Sequence, residues 1–220
     1  MCDERLFLPQ ISALNAEREV FAPPISEHDT ISTLAGSVLD NAPPKFALAG
    51  LSMGGIVAME IVRQSPDRIE RLALMDTNPL AELPEMKAKR APQIDQARAG
   101  QLDSVMRDEM KPNYLIDSPT KPALMDLCMD MALKLGPDVF VRQSTALRDR
   151  PDQCDTLRGI KVPTLILCGR HDQLCPVERH ELMASLIPVA DLQIVEDAAH
   201  LPTLEQPERT TAALKTWLEH

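Results

Sequence analysis

The chain has 220 residues, 44% apolar and 25% charged, which suits one globular domain with a substantial core. Its net charge of −10, with no basic run, argues against a nucleic-acid partner or an anionic membrane surface. Cys2, Cys128, Cys154, Cys168 and Cys175 are odd in number and lack C-x-x-C spacing. With no signal peptide and no apolar stretch long enough to span a bilayer, a reduced, cytoplasmic protein is expected.

In chain order, Leu6, Phe7, Leu8, Ile11 and Leu14 predict a loop running into a helix with Pro9 in its first turns. Glu19-Val20-Phe21-Ala22 predicts a short strand stopped by Pro23-Pro24. Ile31, Leu34, Val38 and Leu39 recur at helical spacing, with Asp29 or Thr30 as N-cap, and Asn41-Ala42-Pro43-Pro44 ends that helix. The run Lys45–Ala49 predicts a buried strand ending at Gly50, and Gly54 to Val62 a helix packed by its small and branched residues. Ser52 therefore falls on a strand-to-helix turn, where its backbone is expected in a sparsely populated conformation. A Cβ at Gly50 or Gly54 is expected to collide with the neighbouring strand or helix. The Ser52 hydroxyl then projects off the sheet edge, and the Met53 amide lies at a helix N-terminus, ready to face an oxyanion.

Ser65-Pro66-Asp67-Arg68 reads as a turn and Ile69–Asp76 as a second buried strand. This alternation predicts an α/β fold, a mostly parallel sheet with flanking helices. The texture then changes: residues 77–155 hold eight prolines and six methionines and no strand signal. Met125, Met129 and Met131 with Leu124, Leu127, Leu133 and Leu135 predict one helix, and Val139, Phe140 and Leu147 another. An inserted helical cap over 77–155 is expected, dividing a core made of 1–76 and 156–220. Its soft methionines suit either varied apolar substrates or ordinary helix packing. The sheet pattern resumes with a strand over Val162–Cys168, a helix over Glu178–Leu186 and a strand around Leu192 and Ile194. A terminal helix over Glu208–Leu218 should bury Leu214 and Trp217.

A serine hydroxyl needs a base to become a nucleophile at neutral pH, and the base needs a group to fix its tautomer. His200 and Asp172 each sit in a loop directly after a predicted parallel strand, so with Ser52 they should meet at one sheet edge. Asp76 and Asp197 also lie near strand ends and compete for the orienting role. Asp197 is expected to brace the His200 loop. His28, His171, His180 and His220 read as exposed, and Cys175 as a bystander. His28, Asp29, His171 and Asp172 lack metal-ligand spacing.

Three blocks carry a resemblance. Gly50 to Gly55, Gly169-Arg170-His171-Asp172 with Pro176 after it, and the stretch from His200 to Glu208 resemble the signature blocks of the α/β-hydrolase superfamily. The texture is similar to its cap-bearing branch of small esterases, enol-lactonases and C–C hydrolases. The resemblance implies Ser52 as nucleophile, His200 as general base and then acid, Asp172 as the orienting carboxylate and the Met53 amide as one oxyanion donor. It implies no cofactor and no metal, and as partner a small-molecule acyl substrate; it leaves the oligomeric state open. The activity it implies is cleavage of a small carboxylic ester, lactone or related acyl bond. The alternatives are a C–C hydrolase or lyase using the same three residues, and an inactive scaffold with an incomplete oxyanion hole. Members of that family usually open with two or three strands, whereas this chain starts at a segment, Cys2-Asp3-Glu4-Arg5, that follows them. Those strands are therefore expected to be lacking, a sheet edge exposed, and the second donor left to Met1 or Cys2.

Overall fold

The computed structural model describes residues 1–219. Four parallel strands, β1 (Phe46–Leu51), β2 (Ile69–Met75), β3 (Thr164–Gly169) and β4 (Ala190–Val195), lie side by side in that order. Leu51 pairs with Met75, Met75 with Leu167, and Gly169 with Val195, so the carboxyl ends of all four open on one edge. Leu72, Ala73, Leu74 and Met75 are each completely buried, the continuous apolar run expected of a strand covered on both faces.

The alternation of side chains builds two cores. Leu72, Leu74 and Ile166 face α2 (Ile31–Asn41), α3 (Met53–Gln64) and the Met183 face of α8 (Val177–Leu186). Ala73, Met75, Leu165 and Leu167 face the other way, toward Leu214 and Trp217 of α10 (Pro207–Glu219). Each fully buried aliphatic side chain contributes roughly 1.5–3 kcal/mol, so the two layers dominate the stability. The N-cap of α2 is Thr30, whose hydroxyl accepts the Thr33 amide at 3.1 Å. Near the start of the chain, α1 (Leu8–Leu14) has Pro9 in its first turn, and Arg5 bridges Asp3 at 2.6 Å and Asp130 at 2.5 Å.

Between β2 and β3 the chain leaves the sheet. It forms α4 (Pro84–Gln96), a loosely wound stretch containing α5 (Leu102–Ser104), then α6 (Lys121–Arg148) and α7 (Cys154–Arg158). Ile94, Val105, Met106, Met129, Ala132 and Phe140 give these helices a core of their own. Gly136, at φ +81° and followed by Pro137, breaks α6 into the two helices that the sequence pattern predicts. A short α9 (Pro202–Glu205) precedes α10.

One expectation fails here. Residues 19–22 form no strand, and Phe21 is 67% exposed. An extended segment becomes a strand only when a neighbour takes its N–H and C=O groups. The sheet stops at β1, and no strand among the described residues pairs with 19–22.

Candidate active site

Ser52 sits between β1 and α3 at φ 54°, ψ −117°, a conformation that typically costs a non-glycine residue about 1–3 kcal/mol. Close packing holds it there. A Cβ on Gly50 would lie 2.3 Å from the Gly54 carbonyl oxygen, so the turn cannot relax toward a larger residue. Gly54 itself meets nothing within 4 Å, contrary to expectation; the second tight position is Gly55, whose Cβ would reach 2.6 Å from the Thr77 side chain. The Ser52 amide donates to the Met75 carbonyl at 2.9 Å, and the Thr77 hydroxyl donates to the Ser52 carbonyl at 2.7 Å. The Met53 amide opens α3, where the first N–H groups have no acceptor within the helix.

His200 links two partners. Its Nε2 lies 2.9 Å from Ser52 Oγ and its Nδ1 2.8 Å from Asp172 Oδ2. His200 and Asp172 are almost completely buried. Asp172 Oδ1 takes the amides of Leu174 at 2.8 Å and Cys175 at 3.0 Å. Burial works against its charge, but the His200 hydrogen bond, the His200 charge and those two amides outweigh it and hold its pKa below the usual carboxylate value. An ionised Asp172 accepts an Nδ1–H, which leaves Nε2 free to accept the serine proton.

The competing aspartates fall elsewhere. Asp76, at φ +42° after β2, is fully buried, and its Oδ1 accepts the Gly169 amide at 2.9 Å. Its other oxygen has no hydrogen-bond partner among the described residues. Burial and then the Asp172 charge push its pKa well up, so of the two carboxyls Asp76 is the one that loses its proton less readily. The Asp197 side chain is exposed and does not brace the His200 loop, although its carbonyl accepts from the Gln206 side chain at 2.9 Å. Glu205 does so instead: its carboxylate accepts the amides of Ala199 at 3.0 Å, Leu201 at 3.1 Å and Ile116 at 2.8 Å.

Several residues of the site went unread in the sequence. Tyr114 accepts the His200 amide on its carbonyl at 3.0 Å and sets its ring against the imidazole at 5.4 Å between centroids, 61° apart. His180, expected at the surface, is completely buried: its Nε2 accepts the Thr77 amide at 3.1 Å, and Nδ1 faces the Pro176 carbonyl. Its place on the inner face of α8, three residues before Met183, was the available signal. His28 and His171 are exposed as expected, and His220 lies outside the described residues. Asp172, Cys175 and His200 present ligand atoms within 4.8 Å of one another. Both nitrogens of His200 are committed to hydrogen bonds, however, and burial drives the Cys175 thiol far up, so a metal there would have to dismantle the existing contacts.

A small cavity of about 70 Å³ opens beside Ser52, lined by Met53, Leu6, Ile25 and His200 from the core side and by Tyr114 and Gln143 from the helical segment. Met1 and Cys2 line it too, next to the Met53 amide's end of α3. No helix among the described residues is long and apolar enough to cross a membrane.

The family described as "Alpha/beta hydrolase family" matches residues 14–214. The pimeloyl-[acyl-carrier protein] methyl ester esterase of Salmonella newport (strain SL254) is 28% identical over 192 residues, 85% of this chain and 75% of that protein. A thermophilic esterase from Thermogutta terrifontis, solved with malate bound, superposes with a TM-score of 0.89 at 30% identity, covering 99% of this chain and 86% of that one. The enol-lactonase of Burkholderia xenovorans LB400 shares the fold at a TM-score of 0.85 and 24% identity, over 100% of this chain and 88% of its own.

Proposed function

The chain belongs to the alpha/beta hydrolase family, and from that premise we propose that it is a serine hydrolase that cleaves a small carboxylic ester, lactone or related acyl bond. The observation that carries this reading is His200, whose two ring nitrogens lie 2.9 Å from the Ser52 hydroxyl and 2.8 Å from the Asp172 carboxylate. The esterases among its relatives support the same choice of bond.

In this mechanism the Ser52 oxygen attacks the acyl carbon while His200 Nε2 takes its proton. Asp172 keeps Nδ1 protonated and stabilises the imidazolium that forms. The Met53 amide donates to the oxyanion of the tetrahedral intermediate. That intermediate collapses to an acyl-enzyme as the alkoxide leaves with the proton from His200. Water then attacks the acyl-enzyme with His200 again as base, releasing the acid and restoring the serine.

Residues 77–155 act as a cap in this reading. Tyr114 and Gln143 reach from it into the cavity beside Ser52. A space of about 70 Å³ is well below the ~300–1,000 Å³ of ordinary ligand sites, so the cap must shift to admit substrate.

A fluorophosphonate probe should label Ser52 stoichiometrically, and Ser52→Ala should abolish labelling. The same change should lower ester turnover by about a million-fold, the usual consequence of losing a serine nucleophile, while the melting temperature stays put. Near-normal turnover by a clean Ser52→Ala preparation would sink the assignment.

A further inference from the structure

Gln143 sits on α6, 5% exposed, in a wall of the Ser52 cavity that is otherwise mostly apolar. Its Nε2 donates to the Ile25 carbonyl at 3.0 Å. Only the N–H side of an amide can donate, so this bond fixes the orientation of the group and leaves Oε1 as its free end. Oε1 accepts no hydrogen bond from the described residues. A buried amide carbonyl without a donor is costly, and the cavity it borders is where a donor can reach it. Tyr114, 7% exposed, lines the same cavity with its ring against the imidazole of His200. Its hydroxyl likewise has no hydrogen-bond partner among the described residues.

Both side chains are held from behind. The Arg142 guanidinium donates to the Ser26 carbonyl at 2.8 Å, next to the Gln143 contact with Ile25, so this turn of α6 is tied at two points to residues 25–26. The Tyr114 carbonyl takes the His200 amide at 3.0 Å. A cap movement that admits substrate can therefore leave both groups in place beside Ser52. Of the other side chains in the wall, Ser52 and His200 serve the reaction, and among the described residues none is Asp, Glu, Lys or Arg. A charged substituent would be stripped of water there with no counter-charge, which favours a neutral one.

We propose that Gln143 and Tyr114 are the specificity residues for a hydroxyl on the acyl part of the substrate, so that the bond cleaved at Ser52 belongs to an ester of a short, uncharged hydroxy acid. A hydroxyl donates and accepts at once: it gives its proton to Gln143 Oε1 and receives that of the Tyr114 hydroxyl. A keto oxygen would satisfy only the tyrosine, and a methylene neither. The cavity of about 70 Å³ holds only a few water-sized groups. The hydroxyl therefore belongs on the second or third carbon of the acyl chain, close to the carbonyl that Ser52 attacks. The inference rests on the hydrolase reading above and deepens it.

The test measures kcat/KM for methyl 2-hydroxybutyrate, methyl 3-hydroxybutyrate, methyl acetoacetate and methyl butyrate, each divided by that ester's rate of hydrolysis by hydroxide. Wild type, Tyr114→Phe and Gln143→Met are compared. A site built to hydrogen-bond a substrate hydroxyl rejects the analogue that lacks it, so wild type should prefer one hydroxy ester over methyl butyrate by at least about tenfold. Each variant should cut that preference by at least about fivefold. Gln143→Met should also erase the margin of the hydroxy ester over methyl acetoacetate, because it removes the acceptor that tells the two apart, whereas Tyr114→Phe should keep that margin. Equal losses on all four esters, or a wild type indifferent to the hydroxyl, overturn the proposal. Should a variant fail to fold, competitive inhibition of wild type by 3-hydroxybutyramide against butyramide decides: stronger inhibition by the hydroxy amide supports the hydroxyl site, and equal inhibition overturns it. Cleavage of the esters without a preference for the hydroxyl refutes only the roles of Gln143 and Tyr114. Failure to cleave any ester or react with the fluorophosphonate refutes the hydrolase reading itself.

Discussion

The ends of β2 and β3 are neighbours in the sheet, and each is followed by a buried aspartate, yet the two carboxyls are shifted in opposite directions. Asp172, after β3, receives two backbone amides and the imidazole of His200, which together hold the charge. Asp76, after β2, receives only the Gly169 amide, and burial with the charge on Asp172 pushes its pKa up. Two like charges at this separation in a buried site cannot both be maintained, so the better-solvated one takes the charge and pushes its neighbour's pKa up. The number of donors at a strand end, rather than the residue type, thus decides which aspartate can orient a base.

The largest expected effect follows from that contrast. Asp172→Asn removes the group that fixes the tautomer of His200 and should lower kcat by about 10⁴-fold, the loss found for the equivalent change in serine proteases. Asp76→Asn should stay within a few-fold of wild type. An asparagine keeps the shape without adding a charge: its oxygen still accepts from Gly169, its NH₂ is neutral beside Asp172, and it tolerates the positive φ. Steady-state kinetics on one ester suffices, and a crippled Asp76→Asn would transfer the orienting role to β2.

Asp76→Leu sharpens the same comparison at smaller magnitude. It leaves the Gly169 amide buried without an acceptor next to the Asp172 loop, at about 1–3 kcal/mol for the orphaned group. Activity should fall roughly tenfold to a hundredfold, the equivalent of that energy if it is lost from the geometry of Asp172 rather than from folding alone. Wild-type kcat in Asp76→Leu would mean that the Asp172 loop holds its shape unaided.

This contrast also marks how far the sequence could be read. Strand and helix periods located β1 to β4, α2, α3 and α10, because each buries a regular face. Chain order and the glycine-flanked serine brought Ser52, Asp172 and His200 to notice, and the geometry places them within hydrogen-bonding distance. Protonation states were invisible, since they depend on donors arriving from other loops. The brace of the His200 loop was assigned to Asp197 by proximity in sequence, whereas Glu205 reaches it through the turn of α9. Residues 19–22 have strand composition but no partner, and composition does not report partners. Gly54 and Gly55 exchanged roles because the tight contact comes from Thr77, beyond the reach of a local motif. Tyr114 sits in the helical segment, whose packing follows no single period.

The last prediction concerns the support of the β2 end, where His180 accepts the Thr77 amide and Thr77 in turn holds the Ser52 carbonyl. Burial lowers the pKa of His180 from 6.5 to about 4, against the Pro176 hydrogen bond and the Asp172 charge, which favour the proton. A histidine whose folded pKa is depressed stabilises the fold in its neutral form. That contribution is fully present above pH 6.5, where neither state binds the proton. Between 6.5 and 4 the unfolded chain takes up a proton that the folded chain refuses, so stability declines as the pH falls. Below about 4 both states are protonated, and the contribution is gone. The full difference corresponds to about 3 kcal/mol, of which roughly 2 kcal/mol should be lost between pH 7 and pH 5. His180→Gln removes this titration while leaving an oxygen able to accept from Thr77. Urea unfolding of both proteins at the two pH values isolates the effect, since every other titrating group is common to them. Wild type should lose roughly 2 kcal/mol more than the variant on going to pH 5. Parallel losses would show that His180 is protonated as readily in the fold as outside it, and that the Thr77 amide does not depend on its neutral ring.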